Sequence, residues 1–146
     1  MKKLLMLMLI SVAVLTLSCK KEKETTITAK DLSGSWELRS SFGGMIAGGI
    51  PPNYSPGNGS ILKFTETDYQ EFSKGQLMKS GTYTLSKENF YSSDVLMYRI
   101  IYDGNVEAFK EYVEIVDGKL KVYDGMVSAD GIEYVYQKIQ DLNQNL

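Results

Sequence analysis

The side chains that usually perform nucleophilic and acid–base catalysis are scarce in this chain. Its 146 residues include no histidine and one cysteine, Cys19. Without histidine, no Ser-His-Asp or Cys-His nucleophile can be assembled and no imidazole is present to act as a base. A zinc centre would have to rest on carboxylates alone, against the metal's preference for Cys and His. Carboxylates do occur close together, as Asp68 with Glu71 and Glu111 with Glu114. Members of each pair lie three residues apart, so on a strand they point to opposite faces. Acid–base work would need carboxylates brought in from different strands. The stretch Asp124-Gly125-Met126-Val127-Ser128-Ala129-Asp130-Gly131 holds two aspartates but lacks the alternating oxygen ligands and terminal glutamate of a calcium loop. It reads as a long polar hairpin loop. No Gly-rich phosphate cradle lies between a strand and a helix. The expectation is a non-enzymatic protein with no catalytic residue, metal or cofactor.

The chemistry the sequence does offer is binding. Ten tyrosines are spread along it, each with a large apolar body and a polar tip. Leu96, Tyr98, Ile100 and Tyr102 alternate on one face of an extended segment, with Arg99 on the other. If charge faces water, the tyrosine face points inward. Tyr83, with Leu77 and Leu85 in step, is expected to join it. Leu62, Phe64, Tyr83, Tyr98, Tyr102 and Tyr136 are therefore the candidate lining of an internal cavity suited to a small hydrophobic or amphipathic ligand. The alternatives are that the tyrosines fill the interior solidly or stand outside at a contact surface. A second feature is the 18-residue connection from Phe42 to Gly59, with six glycines and all three prolines. Loops of that length often serve as lids. Met45, Ile46, Ile50 and Tyr54 are its candidate lid residues, unless the loop is merely a variable surface segment.

These groups must be positioned by strands. Short alternating runs rich in Tyr, Val, Ile, Phe and Thr, separated by Gly, Asp and Asn, recur throughout. They predict strands over 36–40, 60–65, 69–73, 76–85, 95–102, 108–116, 119–123 and 133–139, with a polar break at 86–94. Asp117-Gly118 and Asp103-Gly104-Asn105 are strong turn signals, because a tight hairpin needs residues that tolerate positive φ. Helical periodicity is hard to find after residue 30. Eight strands joined by short turns describe an all-β, eight-stranded antiparallel up-and-down meander. Closing it into a barrel removes the exposed edges and leaves an interior just wide enough for side chains or one small ligand. A sandwich of the same strands is the competing architecture.

The N-terminus speaks to location. Met1-Lys2-Lys3 is followed by a 14-residue apolar run, Leu4 to Leu17. A membrane-crossing helix needs about 20 such residues, whereas the apolar core of a signal peptide takes about 7–15. Leu15-Thr16-Leu17-Ser18-Cys19 resembles a lipobox, whose cysteine is acylated with fatty acid such as palmitate. Two or more acyl chains hold a protein stably on a membrane without crossing it. A lone cysteine also rules out an internal disulfide. Lys20 to Thr26 is charged and polar, a tether unable to bury enough surface to fold. Without residues 1–18 the chain has 14 basic and 18 acidic side chains, a net charge of −4, which gives no support for nucleic-acid binding. The expected organisation is a signal peptide over 1–18, lipidated Cys19 and tether over 19–30, a barrel domain over 31–140 and a tail over 141–146.

Gly34-Ser35-Trp36, opening the first strand, resembles the Gly-x-Trp signature of the lipocalins. Trp36 is the chain's only tryptophan. The stretches Ser60-Ile61-Leu62-Lys63-Phe64-Thr65 and Ser80-Gly81-Thr82-Tyr83-Thr84-Leu85 are similar in cadence to the lipocalin-like domains of small Gram-negative lipoproteins. The resemblance implies a calycin barrel in which Trp36 plugs the closed end and a basic residue of the last strand stacks across it. Lys138 stands where arginine is usual. The family's middle motif is missing, so the wider calycin group fits better than the core lipocalins. The resemblance also implies a ligand-binding lipoprotein anchored in the cell envelope, on the outer membrane. As the alternative it implies a protein-interaction or protease-inhibitor-type module working through the outer face or open-end loops.

Overall fold

Alternating side chains punctuated by turn pairs leave the chain one economical course, in which each strand folds back beside the last. In a computed structural model, which describes residues 26–44, 53–126 and 129–140, a short helix α1 (Ala29–Leu32) precedes eight strands. These are β1 (Gly34–Gly43), β2 (Ile61–Phe64), β3 (Asp68–Ser73), β4 (Gln76–Asn89), β5 (Leu96–Tyr102), β6 (Glu111–Val116), β7 (Lys119–Asp124) and β8 (Ile132–Ile139). Each pairs antiparallel with the next, and β8 returns to pair with β1. The result is a closed up-and-down barrel, and the sandwich is excluded. At the β3–β4 turn Lys74 and Gly75 have φ of 50° and 77°, and at the β6–β7 turn Asp117 and Gly118 have 51° and 72°. Positive φ at both central residues matches the twist of the flanking strands.

β1 runs on through Ser41, Phe42 and Gly43 beside β8, so the long connection begins only after Gly43, and three other elements differ from the sequence reading. First, β4 continues through Ser86-Lys87-Glu88-Asn89, paired residue for residue with β5. Those polar side chains stay in the ladder partly because the Glu88 carboxylate takes a hydrogen bond from the Tyr112 hydroxyl at 2.8 Å and an ion pair from Lys110 at 2.6 Å. Second, β6 begins at Glu111, because residues 103–110 leave the sheet and fold over Arg99. Third, α1 was not anticipated, since four residues are too few to show a period. Its signal is local: Thr28 donates to the Asp31 carboxylate from its N–H at 2.8 Å and its hydroxyl at 2.6 Å, closing the first turn in the manner of a capping box.

Leu32 of α1 is wholly buried, and with Ile27 it joins Trp36, Phe64, Tyr83, Ile100, Val113 and Leu120 in one apolar core. This helix and core plug the end of the barrel at which β1 begins. The connections β1–β2, β3–β4, β5–β6 and β7–β8 lie at the other end.

Candidate functional site

The plugged end is built on a cross-strand pair. Trp36 on β1 sits opposite Lys138 on β8, and the lysine ammonium lies 5.0 Å from the centre of the indole ring. The indole N–H donates to the Leu32 carbonyl at 2.6 Å, tying α1 to the tryptophan. Gly34 has φ of 121°, and a Cβ there would fall 2.8 Å from Cε of Lys138. Both the backbone and the lysine stem thus require glycine two residues before the tryptophan.

Above this plug the barrel holds a cavity of about 430 Å³, open at one end. Of the residues expected to line it, Leu62, Tyr102 and Tyr136 do so, joined by Leu38 and Val122. Phe64 and Tyr83 do not; they lie deeper, packed edge to face with ring centres 5.1 Å apart, the Tyr83 hydroxyl donating to the Thr65 carbonyl at 2.8 Å. Tyr98 packs against the core with the Lys87 ammonium 5.9 Å from its ring, away from the cavity wall. Leu77 stands 53% exposed at the top of β4, where a register shift between Glu71 and Phe72 breaks the alternation. Arg99 occupies the face opposite Tyr98, but not because charge faces water. It is buried, and its guanidinium donates to the carbonyls of Val106 at 2.7 Å and Ala108 at 3.1 Å.

The described part of the long connection is wall more than lid. Asn53 bridges to Ser40, the Tyr54 N–H donates to the Arg39 carbonyl at 2.8 Å, and the Asn58 amide donates to the Leu38 carbonyl at 2.9 Å. Glu37, buried on the outer face of β1, completes the clasp. Burial pushes its carboxyl pKa up. That is outweighed by Arg39, 2.5 Å away, and by N–H groups of Gly57 and Gly59, which together hold it below the usual value. The Tyr54 backbone is therefore tied to β1, while its phenol lies close enough to the cavity residues Tyr134 and Tyr136 to help raise their pKa values. The other expected lid residues, Met45, Ile46 and Ile50, lie outside the described residues, as do Cys19, the signal segment and the tail.

Sequence reasoning missed the polar half of the cavity. Glu71 on β3, Lys79 on β4, Glu111 on β6 and Asp124 on β7 all line it, with Tyr69 and Tyr134. Glu111 and Asp124 are direct cross-strand partners. The Glu111 carboxyl pKa is raised, first by burial and then by the negative charge of Asp124, although the Tyr102 hydroxyl hydrogen-bonds to it. Burial likewise raises the phenols of Tyr69, Tyr102, Tyr134 and Tyr136, most strongly Tyr102 and Tyr136. These hydroxyls are neutral at physiological pH, with Tyr69 donating to Asp103 at 3.4 Å and Tyr102 hydrogen-bonded to Glu111. The signal was present in the sequence, since Glu111 shares its strand face with Val113, and Asp124 shares its face with Val122. Asp124 was read as part of a loop, whereas it ends a strand and points inward. Among the described residues no group of three or more acidic, Cys or His side chains is placed to hold a metal ion.

Other tyrosines stand outside the barrel. Tyr112 is wholly buried on the outer face, where Phe90 and Tyr91 from the β4–β5 turn fold over it with ring centres 5.0 and 5.2 Å away. Tyr123 joins them and donates to Glu114.

In comparisons with known proteins, no family model, no curated protein and no solved structure matches this chain.

Proposed function

We propose that the protein is a lipocalin-like lipoprotein of the bacterial cell envelope that holds a small hydrophobic or amphipathic molecule inside its barrel, without turnover. The carrying observation is the cavity of about 430 Å³ with one open end. It falls within the roughly 300–1,000 Å³ typical of small-ligand sites. Leu38, Leu62 and Val122 offer apolar surface, and the tyrosine hydroxyls offer orientation. The lipocalin resemblance draws support from Lys138 over Trp36 beside Gly34, the arrangement that the Gly-x-Trp motif implies. The anchor rests on the lipobox-like sequence ending at Cys19.

The full-length protein, purified from bacterial membranes in mild detergent, should release a retained small molecule on denaturation, identifiable by mass spectrometry. Emptied protein should enhance the fluorescence of a neutral solvatochromic dye. Finding neither a retained compound nor dye uptake would overturn the binding reading. Cys19→Ala should abolish metabolic labelling with a fatty acid and move the protein out of the membrane fraction; unchanged labelling would refute the anchor.

A second reading draws on one observation. Phe42, Leu77, Met78, Val106 and Phe109 are each more than half exposed near the open end, Phe109 the most at 71%. Apolar side chains clustered around a mouth also suit a protein partner. A partner whose binding survives changes to the lumen but not Phe109→Ser would favour that module.

A further inference from the structure

We infer that the barrel selects a ligand carrying a positively charged nitrogen on an apolar body, an organic amine, over a fatty acid or other anion. This rests on the binding reading above and adds the ligand's charge to it. Three carboxylates, Glu71, Glu111 and Asp124, come from three different strands to the wall of one cavity. Only one basic side chain, Lys79, shares that wall among the described residues; it lies 3.4 Å from Glu71 and also acts on Glu111, one positive charge among three carboxylates. No lysine or arginine among the described residues forms an ion pair with Glu111 or Asp124. Those two stand directly opposite one another across β6 and β7. Like charges in that position destabilise a sheet, and a cation between them would relieve the repulsion. The rings around them strengthen the case. Tyr69 and Tyr102 pack at a tilt of 49° with ring centres 4.4 Å apart on one side, and Tyr134 and Tyr136 line the wall from β8. Aromatic faces attract ammonium groups through the ring quadrupole, most strongly when water is excluded. An apolar chain would extend past Leu38, Leu62 and Val122. Carboxylates, phenols and apolar wall thus converge in one cavity open at a single end, while the carboxylates are not gathered closely enough to serve a metal ion.

An anionic head would meet the opposite situation: three carboxylates on the wall against a single ammonium, Lys79, which already serves Glu71 and acts on Glu111. The pH dependence should follow. A bound cation favours ionised Glu111 over its neutral form, so amine affinity should rise as pH rises through the carboxylate's elevated pKa. The charged and titratable groups that share its space are Asp124, Glu71, Lys79 and the phenols of Tyr102, Tyr134 and Tyr136. Of these, Lys79 and the three phenols, all with raised pKa values, keep their charge state between acid and neutral pH.

The test uses three probes of equal chain length, octylammonium, octanol and octanoate, titrated calorimetrically into the emptied full-length protein. Octylammonium should bind at least tenfold more tightly than octanoate. Glu111→Gln and Asp124→Asn should each weaken octylammonium at least fivefold while leaving octanol within twofold. Octanol binding as tightly as octylammonium, or the two variants binding octylammonium as wild type does, would overturn the charge inference and leave the cavity reading intact. Octanoate binding most tightly would overturn it in the same way. If none of the three binds, both readings fall together.

Discussion

Adding a single methyl group at Gly34 tests the account of the plugged end. Gly34→Ala carries two separable costs. Its φ of 121° lies where residues with a Cβ are strained, at about 1–3 kcal/mol. Its new Cβ would also sit 2.8 Å from Cε of Lys138. That atom belongs to a flexible stem, so the lysine swings aside and gives up its position over the Trp36 ring, a loss of about 0.5–1 kcal/mol at a partly exposed site. Together they predict about 2–4 kcal/mol of destabilisation. A domain of ordinary stability, about 5–15 kcal/mol, still folds. Urea denaturation, followed by circular dichroism alongside the fluorescence of the single tryptophan, should show the midpoint falling by about 1–2 M. A double-mutant cycle separates the terms. In a Lys138→Ala background the clash and the cation–ring contact are already gone, so Gly34→Ala should cost only the backbone strain. The coupling between the two positions should be about 0.5–1 kcal/mol. A Gly34→Ala cost under about 0.5 kcal/mol would refute the strain argument. Full additivity would refute the claim that Gly34 makes room for Lys138.

Three further outcomes follow from the same geometry. Tyr112→Phe removes a wholly buried hydroxyl's bonds to Glu88 at 2.8 Å and the Asn89 carbonyl at 3.2 Å. It should cost about 1–3 kcal/mol in urea titration, and an unchanged midpoint would show that the outer aromatic cluster holds without it. Leu120→Ala opens the packed core and should cost about 2–5 kcal/mol; a smaller loss would mean that the lower barrel collapses to fill the space. Glu111 has a folded-state pKa above the ordinary glutamate value of 4.5. The stability it contributes is therefore fully present below that value and is lost as pH rises through the folded-state pKa. The melting temperature of Glu111→Gln should accordingly gain on that of the wild type between pH 4 and neutrality. A difference that stays constant across that range would show that Glu111 is not strained in the empty cavity.

The barrel was legible because its determinants are local and repeat. Turn pairs such as Lys74-Gly75 and Asp117-Gly118 each fix one hairpin, and a meander needs nothing longer-ranged until β8 meets β1. The Gly34-Ser35-Trp36 signature located the plugged end for a similar reason, since three consecutive residues carry most of its geometry. The cavity lining was only half legible. Leu62, Tyr102 and Tyr136 were found by alternation, yet the premise beneath that reading, that charge faces water, failed in both directions. Arg99 is buried outside the barrel beneath a turn whose carbonyls replace its water. Glu111 and Asp124 point inward because strand parity, set by Val113 and Val122 beside them, overrides their hydrophilicity. A strand cannot turn one residue over without turning its neighbours.

That parity argument also bears on why an ionisable pair persists inside. Half-burying two facing carboxylates with no ion pair of their own among the described residues costs stability, and β6 and β7 could carry apolar residues at 111 and 124 with no loss to the hairpin, whose register is fixed by Asp117-Gly118 and by six successive paired positions. The fold therefore does not require them, and their placement opposite one another works against it. A barrel selected only for stability would fill these sites with apolar side chains of the kind found at Val113 and Leu120. Retaining two facing acids beside a ring of neutral phenols makes sense when something positively charged completes the set. The same acids that weaken the empty barrel then become its points of attachment for a ligand. Stability of the empty protein and affinity for an amine should move in opposite directions when Glu111 is replaced by glutamine.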